Sequence, residues 1–547
     1  MDKQLNMYRI ILLALVANLF FSKTYSQCSE TNEPKVLLVG DSWAFFMNFD
    51  QTINNAFKKW GFSNYRYITN GVIAENGAQT DDFLKPDKQR VIDSLLNANP
   101  SIEVVHLSIG GNDVLGDWKV SFTQAQTDTL KNQVSLRLLQ IINFIKSTRP
   151  GIRIVWGGYM YPNFEEVLNN NPLGNNHPFY STWQKMEFPT FLQLNTVLNE
   201  FSADVAAYAA TDPQVDFINA TGLMQYTFGQ NTALGVAPSG SYAQFSVPLP
   251  TGKPDYPSPR NSMRDYLGIT KDCFHLSAKG FADMIEFHTQ KFYHKLLMDD
   301  LYLLPESTQS GSVSSQGNIL DSLVLGEAQG VSYSTVLSFD TRGMADTTLT
   351  SASIFLRRKS LDGTNPISGN LEVKIKNGNF GASATIEAND FTATGDGAAT
   401  PCLFGSNAGN GHWVRLDLPV SLFPYITKND ITQIVLSSPN FTGGKVVFNN
   451  NSNPEFAPVF NLNYGETPSG INDALTLQGF KVYPNPANSI LNIETASATI
   501  IKTEVFNMLG SLVVLQQNDQ KSIDVSSLSQ GIFFINVTTT NGAGKML

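Results

Sequence analysis

The sequence predicts an α/β region built on a parallel sheet, followed by two all-β regions. Three observations predict it. Up to about residue 300, short apolar runs alternate with stretches whose apolar residues recur at helical spacing. Strands alternating with helices form parallel sheets covered on both faces. From residue 319 to 465 the pattern changes to short alternating runs punctuated by Gly, Asn and Pro, the pattern of an antiparallel sandwich. Residues 474–547 form a further, smaller stretch of β type.

Taken in order, the strands of the first region are expected at 36–40, 104–109, 153–157 and 215–218. Helices are expected over about 81–98, 124–146 and 188–209. In the second of these Leu130, Val134, Leu138, Ile141 and Ile145 share one face. A last helix begins after Ser277, a residue suited to an N-cap, and runs to about 298. Residues 301–318, rich in Ser, Gln and Gly without apolar periodicity, are read as a linker. Sandwich strands are expected at 335–339, 352–356, 371–375, 413–418, 433–436, 446–448 and 459–462, within a domain of 319–465. A second linker, 466–473, leads to the last domain.

A chain of 547 residues holds several domains. Only 15% of its residues are charged and its net charge is −10, which excludes a protein built to grip a nucleic-acid backbone. At the N-terminus Lys3 and Arg9 precede an apolar stretch over 10–21, and Thr24 and Ser26 supply the small residues of a cleavage site. Residues 1–26 therefore read as a signal peptide, too short for a membrane span, and no transmembrane segment is expected in the mature protein. Lipidation of Cys28 is the alternative, but Tyr25-Ser26-Gln27 is a poor context for it. Three cysteines give no disulfide framework, and the odd count leaves at least one unpaired within the chain.

The chemistry lies in two short motifs far apart. Gly40-Asp41-Ser42 ends the apolar run Val36-Leu37-Leu38-Val39, and Asp272-Cys273-Phe274-His275 precedes the last helix. A serine hydroxyl needs a base within hydrogen-bond reach, and the base needs an orienting group. Of six histidines, His275 has an Asp three residues earlier. Ser42, His275 and Asp272 thus read as nucleophile, base and orienting carboxylate. His106 reads as structural, His177 lies in a loop, and His288 and His294 are expected on the last helix, facing solvent or satisfied locally. Cys273 reads as a small buried filler, because Ser42 already supplies the nucleophile.

These motifs, with Gly77 and Gly110-Gly111-Asn112-Asp113 between them, resemble the SGNH (GDSL) esterase and lipase family over residues 34–300. The resemblance implies a flavodoxin-like three-layer sandwich around the parallel sheet. It implies an oxyanion hole made by the backbone N–H groups of Ser42 and Gly77 and the side-chain amide of Asn112, with Asp41 and Asp113 tying loops together. The family usually has Leu after the serine. Here it is Trp43, which is expected to shape the pocket wall. Two long stretches poor in periodicity, 169–180 and 228–261, carry Phe228, Tyr242, Phe245 and Tyr256. They read as a lid whose aromatics, Tyr242 and Phe245 among them, bind substrate, or as an insertion packed on the core. No metal or other cofactor is expected: the serine mechanism needs none, and no His-Glu-x-x-His, paired-Cys, phosphate-loop or dinucleotide motif is present.

Val336-Leu337-Ser338-Phe339-Asp340, Trp413-Val414-Arg415-Leu416-Asp417-Leu418 and Ala457-Pro458-Val459 resemble jelly-roll modules of the carbohydrate-binding type. Tyr483-Pro484-Asn485-Pro486-Ala487-Asn488, Val505-Phe506-Asn507-Met508-Leu509-Gly510 and the run 524–531 resemble the C-terminal sorting domain of type IX secretion substrates, a small β-sandwich found in Bacteroidetes. Together these resemblances imply an esterase that is secreted or held at the cell surface. Its expected partners are the type IX machinery and an ester substrate, most simply an acylated polysaccharide that is deacetylated. A lipid ester and a non-catalytic adhesin are the rival readings.

Overall fold

The computed structural model describes residues 32–229, 252–298, most of 301–464 and most of 481–546. The expected signal peptide, Cys28, the linker 466–473, Tyr242 and Phe245 lie outside the described residues. Nearly all of the chain up to residue 463 forms one compact unit, and the residues after it form a second.

The first unit is organised by a five-stranded sheet. Its strands are β1 (Glu33–Gly40), β2 (Tyr65–Ile68), β3 (Val104–Ser108), β4 (Arg153–Gly157) and β5 (Val215–Ile218). They lie in the order β2-β1-β3-β4-β5, every neighbouring pair parallel. Val36 to Val39 are fully buried and all of β3 is buried, so helices cover both faces. The four expected strands are present. The unexpected one, β2, is an edge strand of sequence Tyr-Arg-Tyr-Ile in which only Tyr67 is buried, and a half-exposed edge leaves no apolar run to read.

Seven helices matter for the site and its support: α1 (Ser42–Phe49), α2 (Thr52–Lys59), α3 (Pro86–Ala98), α4 (Gly111–Asp117), α5 (Gln124–Thr148), α6 (Phe191–Ala209) and α7 (Ala278–His288). The helix expected over 81–98 is divided by Pro86. A 3₁₀ turn, Thr80–Leu84, precedes it, and Pro86 opens α3, where its missing N–H costs nothing. The apolar face expected on α5 is buried as a stripe. Ser277 caps α7, its Oγ accepting from the Gly280 N–H at 3.1 Å.

The strands expected between 335 and 462 are all present in an antiparallel network. One long strand, Leu349–Gly363, joins two sheets: it pairs with Trp413–Asp417 and then with Gly444–Phe448, a bulge between Arg358 and Ser360 interrupting the second pairing. The expected linker 301–318 is corrected by the structure. Leu301–Leu303 pairs with Val459–Tyr464, and Gly311–Ser314 pairs with Val331–Asp340. The latter strand is wholly buried although two of its residues are serines. The Ser312 hydroxyl accepts from the Val324 N–H at 2.6 Å and also lies 3.2 Å from the Val324 carbonyl. A polar strand can be buried when its hydroxyls pair with backbone, and such a strand has no apolar signature.

The antiparallel region and the parallel-sheet region share one core. Phe355, Trp413 and Val459 belong to the same buried cluster as β1 and β3. Trp413 stacks on Trp60 with ring centroids 5.6 Å apart, and Arg415 donates to Asn64 Oδ1. Residues 61–64 lead into the amino end of β2, whereas Ser42 follows the carboxyl end of β1, so the antiparallel region docks at the end of the parallel sheet away from Ser42. His294, expected to face solvent or to be satisfied locally, is instead buried against both Trp60 and Trp413, and burial lowers its pKa to about 3. His288 is likewise buried, stacked on His106, and neither of its ring nitrogens has a hydrogen-bond partner among the described residues.

The second unit is small and all β. Lys481–Tyr483, Ile490–Glu494 and Ser522–Asp524 form one antiparallel sheet. Leu512–Gln517, Ile500–Asn507, Phe533–Thr539 and Gly542–Met546 form another, in that order. Ile493, Ile500, Val505, Ile523, Ile535 and Val537 make its core.

Candidate active site

The site begins where β1 stops. A Cβ on Gly40 would lie 2.0 Å from the Ser108 carbonyl oxygen, so only glycine lets β1 and β3 end this close together. The chain then turns directly into α1. Asp41 caps that helix: its Oδ1 accepts from the Trp43 N–H at 2.9 Å and its Oδ2 from the Tyr159 hydroxyl at 2.5 Å. Burial pushes the Asp41 carboxyl up to about 7. Both of its oxygens are engaged in holding the turn, which is the loop-tying role expected of it. Ser42, the first residue of α1, is left at the floor of a cleft of about 640 Å³.

His275 comes from a hairpin after β5, made of β6 (Met263–Tyr266) and β7 (Thr270–Leu276). The three-residue spacing lets one carboxylate serve two purposes. Asp272 Oδ1 accepts from the backbone N–H groups of Phe274 and His275, each at 2.7 Å, which fixes the carboxylate. Asp272 Oδ2 is 2.8 Å from His275 Nδ1. His275 Nε2 is 2.7 Å from Ser42 Oγ. With Nδ1–H donating to the carboxylate, Nε2 carries the lone pair and accepts from the serine hydroxyl. Phe46 at 4.8 Å and Phe179 at 5.7 Å pack against the imidazole ring.

Asn112 lies in the first turn of α4, just past the carboxyl end of β3. Its Nδ2 donates to the Ala78 carbonyl at 3.0 Å, next to Gly77. Asp113, fully buried, accepts from Thr80 Oγ1 at 2.6 Å and the Thr80 N–H at 3.0 Å, and burial raises its pKa. Loop 75–80 is thereby tied to α4. Its far end is held by the buried Lys88 of α3, which donates to the Val72 carbonyl and the Glu75 carboxylate. Gly77 itself has φ +79°, a conformation that favours glycine; it borders the cleft, and a Cβ there would meet nothing within 4 Å.

Ser42, Gly77, Asn112, Asp272 and His275 thus line one cleft. Trp43 does not. It is fully buried on the core side of α1, against Tyr159, Phe274 and Phe281 at 5.0–5.7 Å, because one helical step turns it away from the face that presents Ser42. The expectation that it shapes the pocket wall is corrected. Tyr256 and Phe228 do not line the cleft either. Asn195 and Gln225 bond to the carbonyls of Pro254, Lys253 and Tyr256, so residues 253–256 are a segment packed on the core. The aromatic wall comes from residues not singled out in advance, Phe46, Phe179 and Tyr266. Phe179 falls in the aperiodic stretch 169–180, whose irregularity was the available signal. His106 bonds through Nδ1 to the Tyr293 hydroxyl at 2.8 Å inside the core, a structural place. Cys273 is a free, buried thiol, and burial raises its pKa.

Compared with known proteins, residues 481–546 match the family model described as a secretion system C-terminal sorting domain. No curated protein matches the chain. Solved structures similar to it include a family 3 carbohydrate esterase from Talaromyces cellulolyticus, at 11% identity over 49% of this chain and 100% of that one, with a TM-score of 0.28. A GDSL-like lipase from Bacteroides thetaiotaomicron has 14% identity over 51% and 96%, with a TM-score of 0.26. A family 3 carbohydrate esterase from Clostridium thermocellum has 15% identity over 49% and 99%, also with a TM-score of 0.26. Among the described residues no helix is long and apolar enough to cross a membrane. The second unit carries a sorting domain of the type IX secretion system, and the protein is secreted or presented at the cell surface by that route.

Proposed function

We propose that the chain is a secreted serine esterase of the SGNH (GDSL) type, with its catalytic domain in residues 34–300. The observation that carries this reading is the continuous relay from Asp272 through His275 to Ser42, with links of 2.8 and 2.7 Å. The strand order of the parallel sheet, with the nucleophile just beyond the first strand, supports the flavodoxin-like arrangement.

In the mechanism, Ser42 Oγ attacks the ester carbonyl carbon as His275 Nε2 takes its proton. Asp272 keeps the ring in the productive tautomer and stabilises the imidazolium. The carbonyl oxygen becomes an oxyanion that accepts from the backbone N–H groups of Ser42 and Gly77 and from Asn112 Nδ2. One N–H of the Asn112 amide is used by the Ala78 carbonyl, and the amide has a second to give. The imidazolium then protonates the departing alkoxide, leaving an acyl-Ser42 ester. Water, deprotonated by His275, attacks that ester and releases the acid and free serine.

We further propose an acylated polysaccharide as substrate, with a short acyl group. The cleft is open, and Phe179 and Tyr266 line it with rings on which a sugar face can lie. Hydrolysis of p-nitrophenyl acetate and of long-chain p-nitrophenyl esters, together with acetate release from acetylated xylan, tests this. The expected outcome is acetate release from the polymer and a kcat/KM that falls with chain length. A preference for the long chain would replace the polysaccharide with a lipid ester.

A further inference from the structure

We propose that Arg264 is a positioning residue that sets the spacing of Ser42 and His275; the inference rests on the serine-esterase reading above. The two groups belong to elements far apart in sequence. Ser42 opens α1, and His275 lies near the end of β7. Arg264, on β6, spans them with three contacts. Its Nε donates to the carbonyl of Leu276, the residue after His275, at 3.2 Å. Its Nη2 donates to the carboxylate of Asp50, the C-cap residue of α1. Its guanidinium plane lies over the Phe46 ring, 4.1 Å from the centroid, and that ring in turn packs on His275 at 4.8 Å.

The three contacts form a brace. One end holds the strand beside the base, the other holds the far end of the nucleophile helix, and the ring of Phe46 is the spacer between them. The Arg264 and Asp50 side chains are 17% and 11% exposed, so their pair is shielded from the solvent that weakens surface ion pairs. Arginine suits the task because its planar fork gives two directional N–H bonds and a stacking face at once. A lysine ammonium offers the charge alone. A base and nucleophile displaced by about an ångström lose on the order of 10²-fold in rate, so a brace at this point acts on kcat.

The test uses the full-length chain, p-nitrophenyl acetate kinetics, and the rate of covalent inactivation by a fluorophosphonate. Far-UV circular dichroism and thermal melting confirm that each variant is folded at the assay temperature. Arg264→Met, which keeps the stem, is expected to lower kcat and the inactivation rate by roughly 10- to 100-fold while KM moves by less than about twofold. Asp50→Asn, a change outside the cleft lining, is expected to act in the same direction. The double variant should be no worse than Arg264→Met, because both remove one brace. Arg264→Lys should recover part of the loss. A raised KM with unchanged kcat in Arg264→Met would make Arg264 a substrate contact and overturn the proposal. Unchanged kcat in Asp50→Asn would overturn it even if Arg264→Met did not fold. A wild-type chain inert to both ester and fluorophosphonate would overturn the esterase reading and this proposal with it, whereas an active wild type with an unimpaired Arg264→Met would overturn this proposal alone.

Discussion

Replacing His275 by alanine is expected to lower kcat on a short ester by on the order of 10⁴- to 10⁶-fold, with KM little changed. The size of the effect follows from geometry. His275 Nε2 is 2.7 Å from Ser42 Oγ, and without it the hydroxyl loses the base positioned to take its proton. The departing alkoxide also loses its acid. The surviving rate would come from binding and from oxyanion donors, each worth about 10²–10³-fold in comparable enzymes. His275 is packed by Phe46 and Phe179 on the cleft side, so its removal enlarges the cleft and leaves the sheet intact. Steady-state kinetics of the purified variant, beside a circular dichroism spectrum matching wild type, checks this.

Trp413→Ala is expected to destabilise the whole first unit by about 3–5 kcal/mol, the usual cost of deleting a fully buried large aromatic. Trp413 is 0% exposed and stacks on Trp60, with the His294 ring 4.4 Å away. Those partners belong to the parallel-sheet region, so the cavity opens in a core that both regions share. The consequence is a single loss: denaturant midpoints followed by far-UV circular dichroism, which reads both regions, and by esterase activity should fall together. It also bears on the role of the sandwich. Trp413 and Phe355 are packed against Trp60 and Phe62, at the end of the sheet away from Ser42. We propose that this face of the sandwich serves as scaffold. Independent midpoints for the two probes would restore the picture of two separate modules.

The relay was legible in the sequence because its chemistry is spelled by residue type. Ser42 closes an apolar strand, and Asp272 and His275 carry their own spacing. Gly77 and Asn112 could be proposed as oxyanion donors only by resemblance, since nothing in their own local pattern tells a turn glycine from such a donor. The strands β1 and β3 to β5 were legible because burial on both faces makes them apolar throughout. The half-exposed edge strand β2 was not, nor was Gly311–Ser314, whose serines are buried by pairing with backbone. Trp43 was misplaced for a related reason. Adjacency to Ser42 in sequence says nothing about which side of a helix a side chain takes until the helix is known to start at the serine itself. The brace of Arg264, Asp50 and Phe46 joins three segments, and no pattern within any one of them announces it.

In the proposed mechanism Ser42 is a nucleophile activated by His275. Treating the full-length chain with a fluorophosphonate and mapping the adduct by peptide mass spectrometry tests it most directly. Serine oxygen displaces fluoride at phosphorus, so the reaction reports the activated hydroxyl without any assumption about substrate. The expected result is one adduct, on Ser42, lost in Ser42→Ala and slowed in His275→Ala by a factor comparable to its loss of kcat. An adduct on another residue, or an unlabelled wild type, would contradict it.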